Sequence, residues 1–584
     1  MTGSHGLDLF GPARLAFNYF LGHVDRRTGR PFMWTYLLTD PPKLAHDAWD
    51  TVEELGRYLE ALVPLRVMTA SDEGRDLELA LRDKLVAQQK EDGLIYRPQT
   101  SYSAHVADVY DQGSAMLGLA ACCLAADDPV CAEAIDRDVA TLSELARWDG
   151  DDYARFDHVA VQDGRPLARY DGQVLETDNP EAPDAVWLGR LIRPLFQYAR
   201  ASGREEPLVL ARALSRDIAL RSGGYGEDGS FSRAREGEDA VWTVGHFHSR
   251  TNTVAGILRL ARHTGDDDLL EWGERVFRWA LAHGTRFGWY PEFIGRRDIE
   301  TEGCETCGVV DMLDAAIALA KSGRDDCWEI ADRIWRNQVL ENQLRDISWV
   351  RSTRTLPDTE TESFDGVPER ARGGFAGWSG PNDLISDFRD PYFSALDPTQ
   401  DHRRSLMGCC ASSGAKGLYL AWHEALTSTE GGVSVNLPVS RDSDKATVRC
   451  REPNEGRLEI TMKHPGNLTV RVPGGPDRAD VTVERDGTPV DVSWRGDFVE
   501  LAGLDAGARV VVRYPLEEHT ETVTVGGRDF TTPVDYRVTW RGNTVIAVDP
   551  PGRHCPLYRR ETDARNAPAA EPPVGPVPPN EFDY

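Results

Sequence analysis

Residues 253–282 read TVAGILRLARHTGDDDLLEWGERVFRWALA, and this stretch decides the fold. Apolar residues recur at intervals of three and four in 253–262 and again in 269–282, which is the period of an amphipathic helix. The turn between them, His263-Thr264-Gly265-Asp266, carries a glycine that can end one helix and an aspartate that can start the next. The stretch therefore predicts two helices joined as a hairpin.

The same pattern recurs through the first 430 residues. Further helices are predicted at 52–67, 77–89, 115–124, 185–201, 309–321, 328–339 and 415–426. A total of roughly eleven or twelve helices suits a toroid of six inner and six outer helices better than a four-helix bundle. The spacing is too irregular for a short-period solenoid. We therefore predict an (α/α)6-barrel catalytic domain over residues 1–430.

From residue 431 the pattern changes to the alternation of β-strands. It is seen in 433–437, 458–462 and 468–472, and turns such as Asp486-Gly487 separate the segments. Short alternating strands with glycine-containing turns predict a β-sandwich domain over 431–562, packed against the barrel because no proline-rich spacer intervenes. The stretch 563–584 is rich in proline, alanine and acidic residues, which predicts a disordered tail.

Composition limits the functions that the chain can have. The 584 residues are 40% hydrophobic and 28% charged, with a net charge of −29. Such an acidic surface disfavours nucleic acid as a partner. The sequence shows no apolar run of about 18 residues, so no membrane span is expected. The first ten residues do not resemble a secretory signal, so a cytoplasmic location with reduced thiols is expected. The oligomeric state stays open.

Two long connections in the helical half are candidates for a ligand site. They cover about 150–183 and 348–404, and both contain many aspartates. In a toroid the long connections crowd one mouth, where ligands bind. Aromatic plates beside carboxylates suit a sugar, although ordinary loop packing remains an alternative for each residue. The aromatic candidates in the second loop are Trp349, Trp378, Tyr392 and Phe393.

Thiols are few in this chain, ten in all, and two clusters stand out. Cys304 and Cys307 flank Glu305, and Cys409 is followed directly by Cys410. Three thiolates with one carboxylate would make a tetrahedral zinc site. A structural site of four thiolates, with Cys304 included, and buried thiols without metal are the alternatives. The cysteines that lie in or beside helical patterns are expected in the core: Cys122, Cys123, Cys131 and Cys327.

Several motifs occur in an order that resembles a known family. Glu305-Thr306-Cys307 precedes an apolar helix, and Cys409-Cys410 is followed by Ala-Ser-Ser-Gly and another helix. This combination is similar to glycoside hydrolase family 127 and its relatives, whose type activity is β-L-arabinofuranosidase. Weaker matches agree in order over about residues 90–550: His105-Val-Ala-Asp-Val-Tyr110, His248-Ser-Arg-Thr-Asn252-Thr253, Pro291-Glu292-Phe293 and Gly432-Val-Ser-Val-Asn436-Leu437.

The resemblance implies a zinc-dependent retaining glycosidase. Its implied zinc ligands are Glu305, Cys307, Cys409 and Cys410. Cys409 would be the nucleophile and Glu292 the general acid/base, in a two-step scheme with sulfur in place of a carboxylate. The implied substrate is a β-L-arabinofuranoside or a related furanosyl or pentosyl unit within a glycoside or oligosaccharide. The candidates for substrate contact are His105, His248, Asn252 and Trp378.

The motifs also depart from the family pattern. Ala-Ser-Ser-Gly replaces Pro-Pro-Asn after the cysteine pair, Gly113-Ser114 replaces Gly-His, and Glu292 is somewhat closer to Glu305 than in the type enzymes. These differences leave the sugar open. Two other functions remain: a non-catalytic carbohydrate-binding protein with a structural zinc, and a toroid epimerase or lyase that uses His and Tyr. His246 stands two residues from His248 without an obvious carboxylate partner.

Overall fold

The computed structural model describes residues 9–156, 160–162, 165–167, 189–231, 245–295, 301–387, 405–527, 531–559 and 582–584. Most of the first long connection and the end of the second, with Tyr392 and Phe393, lie outside these residues. The described helices are α1 Phe10–Gly22, α2 Glu53–Thr69, α3 Arg75–Gln88, α4 Val109–Ala126, α5 Pro129–Leu145, α6 Gly189–Ser202, α7 Glu206–Leu220, α8 Phe247–Thr264, α9 Asp267–Leu281, α10 Thr306–Ala320, α11 Asp326–Ile334, α12 Val367–Ala371 and α13 Gly408–Ala425.

Six of these helices form a closed ring. In the order α2, α4, α6, α8, α10 and α13 each packs against the next, and α13 packs against α2. A second layer covers the ring, with α1 and α3 on α2, α5 on α4, α7 on α6, α9 on α8 and α11 on α10. Every residue of α2 and α10 is buried, whereas α9 buries one face only. The predicted toroid of six inner and six outer helices is confirmed.

The hairpin predicted from residues 253–282 consists of α8 and α9. Gly265 ends α8 in the left-handed conformation, with φ of 68°, and the Asp266 carboxylate accepts from the Leu269 amide at 3.2 Å. However, α8 begins at Phe247 rather than at the predicted residue 253. Its first turns bury polar side chains such as His248 and Asn252, which interrupt the apolar period.

Helix α4 also differs from its prediction, beginning at Val109 instead of residue 115, where the Asp108 carboxylate accepts from the Tyr110 amide. By length and composition α4 could cross a membrane, contrary to the expectation from the sequence, but 83% of it is buried inside the protein. It is an inner helix of the ring, and its apolar surface is used there. The segment predicted as helix 328–339 ends its α-helical part at Ile334 and continues as a π-helical turn, Trp335–Val339.

Small antiparallel sheets decorate the helical half. Strand pairs β1–β2 and β6–β7 stand alone, and the other two sheets have the orders β10-β4-β3-β11 and β5-β8-β9. The second of the long connections supplies β10, which pairs with β4 near the N-terminal helix. The bounds are β1 Val24–Asp25, β2 Arg30–Pro31, β3 Trp34–Tyr36, β4 Lys43–Ala45, β5 Ala107–Asp108, β6 Arg147–Asp149, β7 Tyr153–Arg155, β8 Ala160–Gln162, β9 Arg165–Leu167, β10 Glu362–Ser363 and β11 Leu406–Met407.

The C-terminal region is rich in strands, as predicted, and forms three sheets with the orders β12-β13-β17-β21-β20, β14-β15-β16-β22-β18-β19 and β23-β24-β25. Side chains of the first two sheets share one hydrophobic cluster. The bounds are β12 Leu426–Thr429, β13 Gly432–Val435, β14 Arg441–Asp442, β15 Ala446–Cys450, β16 Arg457–Met462, β17 Gly466–Arg471, β18 Thr482–Arg485, β19 Thr488–Pro489, β20 Ser493–Arg495, β21 Phe498–Leu504, β22 Arg509–Arg513, β23 Glu518–Val525, β24 Val534–Arg541 and β25 Thr544–Asp549.

Buried polar contacts join the strands to the toroid. Arg336 of the π-helical turn pairs with Asp332 at 2.6 Å and also with Glu452 in the strand region. Arg471 reaches Asp332 at 2.9 Å, and Trp540 belongs to the core cluster of the toroid. Removing one partner from a buried ion pair leaves an uncompensated charge, so these pairs fix the two parts together. The prediction that the strand region packs against the toroid is confirmed.

The last three residues correct part of the predicted disordered tail. Phe582 and Tyr584 are buried, and the Tyr584 hydroxyl donates to the Glu60 carbonyl of α2 at 2.9 Å. Asp583 pairs with Arg259 at 3.0 Å and with Arg262 at 3.1 Å. Predicted disorder therefore does not extend to these residues, because their aromatic rings and carboxylate find partners on the ring helices. Residues 563–581 lie outside the described part of the chain.

Candidate active site

The two cysteine clusters stand at the N-termini of neighbouring inner helices. Glu305 is the residue before α10 and Cys307 lies in its first turn, while Cys409 and Cys410 lie in the first turn of α13. Helix N-termini carry a partial positive charge, which favours anionic side chains there. Because α10 and α13 pack side by side, segments a hundred residues apart in the sequence meet at one end of the ring.

The four side chains Glu305, Cys307, Cys409 and Cys410 form a compact buried set, called here the thiol–carboxylate group. Their ligand atoms all lie within 4.8 Å of one another. The sulfurs of Cys307 and Cys410 are 3.6 Å apart, and the Cys410 sulfur is 3.7 Å from Oε1 of Glu305. Tetrahedral zinc with Zn–S bonds of about 2.3 Å needs sulfurs about 3.8 Å apart. The group therefore has the donors and the spacing that zinc requires.

Cys304 is not a member of this group, although the sequence leaves that open. Its backbone exchanges hydrogen bonds with Ser379, and its sulfur approaches the Glu305 carbonyl at 3.9 Å. Burial raises the pKa of the Cys304 thiol above its ordinary value. The described cluster is thus three sulfurs and one carboxylate, and a closed set of four sulfurs does not form around Cys304.

One thiol of the group ionises before the others. Burial opposes loss of its proton, but hydrogen bonds from Cys409 and Cys410, with the nearby charge of His248, hold the pKa of Cys307 well below its usual value. The hydrogen bond with Cys307 in turn raises the pKa of Cys409. Without a metal, loss of a proton is therefore favoured at Cys307 over Cys409 and Cys410.

His248 approaches this group from α8. Its Nδ1 lies 2.6 Å from Oδ2 of Asp311, and the same carboxylate accepts from Thr251 at 3.1 Å and Asn252 at 3.3 Å. Burial lowers the pKa of His248, but the charges of Cys307 and Asp311 outweigh it and raise the value to about 10. The contact with Asp311 therefore favours the protonated form of His248, although its Nε2 faces the Arg190 guanidinium at 3.4 Å.

The sequence shows no obvious carboxylate partner for His246, but the structure places two carboxylates beside it. Its Nε2 lies 3.3 Å from Oε1 of Glu292 and 3.2 Å from Oε2 of Glu305, and its Nδ1 faces the Ser249 hydroxyl at 2.5 Å. An isolated antiparallel bridge between His246 and Phe293 brings these distant segments together. No pattern in the linear sequence indicates that pairing.

Glu292 is buried and its pKa is raised to about 7. Burial is the main cause, the charge of Glu305 adds to it, and His246 acts in the opposite direction. The two carboxylates in turn raise the pKa of His246 to about 9, against the effect of its burial. A carboxyl with a pKa near neutrality can both donate and accept a proton at physiological pH.

A cavity opens beside these residues. The indole rings of Trp34 and Trp378 face each other nearly in parallel, with centroids 6.2 Å apart and planes at 16°. The Trp34 Nε1 donates to Asp47 at 3.0 Å, which fixes that ring. The lining residues are Met33, Trp34, Trp49, Glu53, Tyr110, His246, His248, Ser249, Glu292, Glu305, Trp378, Met407 and Cys409.

Seven of the nine predicted site residues come together here. Those on the cavity wall are Glu292, His248, Trp378, Glu305 and Cys409, with Cys307 and Cys410 completing the thiol–carboxylate group. By contrast, neither His105 nor Asn252 lines the cavity. His105 bonds the Arg97 carbonyl and stacks on Tyr96, and Asn252 is held by Asp311. The predicted substrate contacts of these two residues gain no support.

Several cavity residues carry no role in the sequence predictions, among them Trp34, Trp49, Glu53 and Tyr110. The Tyr110 hydroxyl donates to Glu53 at 3.0 Å, and the guanidinium of Arg190 lies 4.6 Å from the Tyr110 ring centroid. Burial is the main reason that the pKa of Glu53 rises to about 7. A glutamate in the first turn of a helix is an ordinary start signal, so the sequence gives no indication of this position.

No protein-family model matches the chain, and a search of curated proteins finds no significant match. Solved structures do match. Ara127N-Se, a GH127 β-L-arabinofuranosidase from Geobacillus stearothermophilus T6, is 14% identical, with 93% of this chain and 80% of that chain covered and a TM-score of 0.57. A glycoside hydrolase is 14% identical with 92% and 80% covered and a TM-score of 0.58, and another GH127 β-arabinofuranosidase is 14% identical with 93% and 81% covered and a TM-score of 0.55. The chain therefore has the fold of family 127 glycoside hydrolases, as the resemblance of its motifs predicts.

Proposed function

We propose that this protein is a zinc-dependent retaining glycoside hydrolase with a cysteine nucleophile. The observation that carries the proposal is that Cys409 and Glu292 line one cavity, while Cys409 also belongs to the thiol–carboxylate group. A sulfur nucleophile and a carboxyl with a pKa of about 7 are the two groups that a retaining hydrolase of this kind needs.

The metal part of the proposal rests on the donor set. Glu305, Cys307, Cys409 and Cys410 would hold zinc, and their spacing fits that ion. Bound zinc would favour the deprotonated form of all three sulfurs near neutral pH, whereas within the protein alone only the pKa of Cys307 is lowered. Reduced thiols are needed, so we also propose a cytoplasmic location.

The residues divide the chemistry between them. The Cys409 thiolate attacks the anomeric carbon of the sugar while Glu292 protonates the departing oxygen, and a thioether bond to the sugar replaces the glycosidic bond. Glu292, now a carboxylate, takes a proton from water as that water attacks the same carbon, and the sulfur leaves as a thiolate. Two inversions at one carbon give net retention of configuration.

We propose a β-L-arabinofuranoside or a related furanosyl or pentosyl unit as the substrate. Two solved structures that share the fold, both β-arabinofuranosidases, support this choice. The facing rings of Trp34 and Trp378 supply apolar surfaces suited to the C–H faces of a sugar.

We also propose that the C-terminal region is a β-sandwich. The hydrophobic cluster that its first two sheets share supports this fold.

Two observations keep other functions in view. A set of four protein ligands is typical of a structural zinc site, which would fit a non-catalytic carbohydrate-binding protein. His246, His248 and Tyr110 line the cavity, and a toroid epimerase or lyase would use such residues for proton transfer.

The stereochemistry of the product tests the proposal. Full-length protein is incubated with aryl β-L-arabinofuranoside, and the first-formed sugar is observed by NMR; we expect the β-anomer. Glu292→Gln protein, given the same activated substrate, should accumulate a pentosyl adduct on Cys409 that intact-mass and peptide analysis detect. Cys304→Ser protein is the matched control and should give the parent result. The α-anomer as first product would exclude a covalent nucleophile, and binding without turnover of any glycoside would favour the binding protein.

A further inference from the structure

The side chain of Arg57 contacts the thiol–carboxylate group. It lies on α2, is fully buried, and one terminal nitrogen of its guanidinium contacts three groups. That nitrogen, Nη2, is 3.8 Å from the Cys307 sulfur, 2.9 Å from the Cys409 carbonyl oxygen and 2.5 Å from the Ser413 hydroxyl. Arg57 thus touches both helices that supply the thiols, and no other role assigned above uses it.

The other end of the guanidinium is held separately. Nη1 of Arg57 lies 3.2 Å from Oε2 of Glu60, one turn further along α2. A guanidinium is planar and carries five donors in a fixed fork, so it can hold two groups at once in a set geometry. Glu60 therefore faces one side of the guanidinium, while the second nitrogen is directed to α10 and α13.

The contact of Arg57 also bears on the charge of the proposed metal site. Three thiolates and a carboxylate around a divalent cation leave a formal charge of −2 in the centre of the ring. Buried charge without compensation is costly, and a thiol must lose its proton before it can bind a metal, which a neighbouring cation favours. Arg57 is a permanent cation whose ordinary pKa lies above 12, so it supplies compensation at every pH at which the protein is folded.

We propose that Arg57 is a positioning residue of the metal site: it holds the Cys307 sulfur and the first turn of α13 in the ligand arrangement and offsets their negative charge. This inference rests on the proposed function. A purely structural arginine would be satisfied by Glu60 alone, as Arg336 is by its carboxylates at the strand interface. Arg57 instead directs its second nitrogen to two residues of the ligand set.

The test compares Arg57→Lys and the double variant Arg57→Met/Glu60→Gln, which leaves no unpaired carboxylate, with Glu60→Gln and Arg336→Lys as controls. Zinc affinity is measured by chelator competition, and Co²⁺-loaded protein is examined for thiolate-to-cobalt absorption. Folding is followed by thermal denaturation, and kcat and KM are measured separately.

Both Arg57 variants should bind zinc roughly 10- to 100-fold more weakly, the range typical when a group that supports metal ligands is lost. Their cobalt absorption should shift, and kcat should fall more than KM rises. The two controls should lose thermal stability and keep the parent cobalt spectrum. Parent-like zinc affinity and cobalt spectrum in both Arg57 variants would overturn the inference alone. Absence of zinc and of glycosidase activity from the parent protein would overturn the proposed function as well.

Discussion

The imidazole Nε2 of His246 lies 3.3 Å from Oε1 of Glu292. This contact opposes the burial that raises the pKa of Glu292, and the result is a carboxyl that titrates at about 7. The same ring nitrogen lies 3.2 Å from Glu305, so one side chain links the acid/base candidate to the thiol–carboxylate group.

The first prediction concerns the pH dependence of activity. Glu292 must be protonated to act as an acid, so kcat/KM on substrates with poor leaving groups should fall as pH rises through about 7. His246→Gln removes an interaction that lowers the pKa of Glu292, and the alkaline limb should move to higher pH. His519→Gln, on the exposed β23 strand, is the control. An unmoved limb in the His246 variant would separate that residue from Glu292.

The second prediction separates the cysteines. Cys409→Ser should keep the fold, because serine is close in size, but should abolish turnover, since a hydroxyl is a poorer nucleophile and a worse leaving group. Cys304→Ser changes a neighbouring thiol outside the group and should keep both zinc and activity. Elemental analysis should give about one zinc per chain in the parent protein. Active protein free of zinc would contradict the ligand set.

The third prediction concerns the facing indoles. Trp378→Ala should raise KM more than it lowers kcat, because in the proposed function the ring would bind the sugar without taking part in bond cleavage. Loss of such an aromatic contact costs about 0.5–1.5 kcal/mol, or a rise in KM of roughly two- to tenfold. Trp349→Ala alters a tryptophan outside the cavity, whose indole nitrogen donates to the Asp346 carbonyl, and KM should remain at the parent value. Equal effects of the two substitutions would argue against a sugar contact at Trp378.

The fourth prediction concerns Asp583. Burial alone would raise its pKa, but Arg259, Lys321 and Arg262 outweigh burial and hold the pKa well below the usual value. Asp583→Asn should therefore destabilise the protein by about 2–3 kcal/mol at pH 7. Because the folded pKa is depressed, this contribution is complete above the unfolded pKa of about 3.9 and is lost as pH falls below it.

Denaturant unfolding at several pH values measures the difference between the parent protein and Asp583→Asn. The control is Asp326→Asn, which breaks an exposed pair with Arg278 and should change stability by less than about 1 kcal/mol. A gap between parent and Asp583→Asn that stays constant down to strongly acidic pH would show that the carboxylate charge is not responsible.

The sequence indicates the thiol–carboxylate group because cysteines are scarce and the clusters are dense. It does not indicate the contact of His246 with Glu292, which depends on backbone pairing between distant segments. It also places the start of α8 too late, since an inner helix that faces a polar cavity buries side chains such as His248 that hydropathy counts as exposed. The sequence also does not predict the burial of Phe582 and Tyr584, because the proline-rich composition that precedes them indicates disorder.

Closure of the ring depends on contacts between segments that are distant in the sequence. Its first inner helix, α2, and its last, α13, are separated by most of the helical half, yet they must meet for the ring to close. Contacts between segments so distant in the sequence form slowly, because a long loop must be closed before they contribute free energy. Cys409 and Cys410 lie at the start of the closing helix, whereas Glu305 and Cys307 belong to its neighbour. A nascent or truncated chain that lacks α13 would therefore hold only half of the proposed ligand set, and metal uptake would measure whether the toroid has closed.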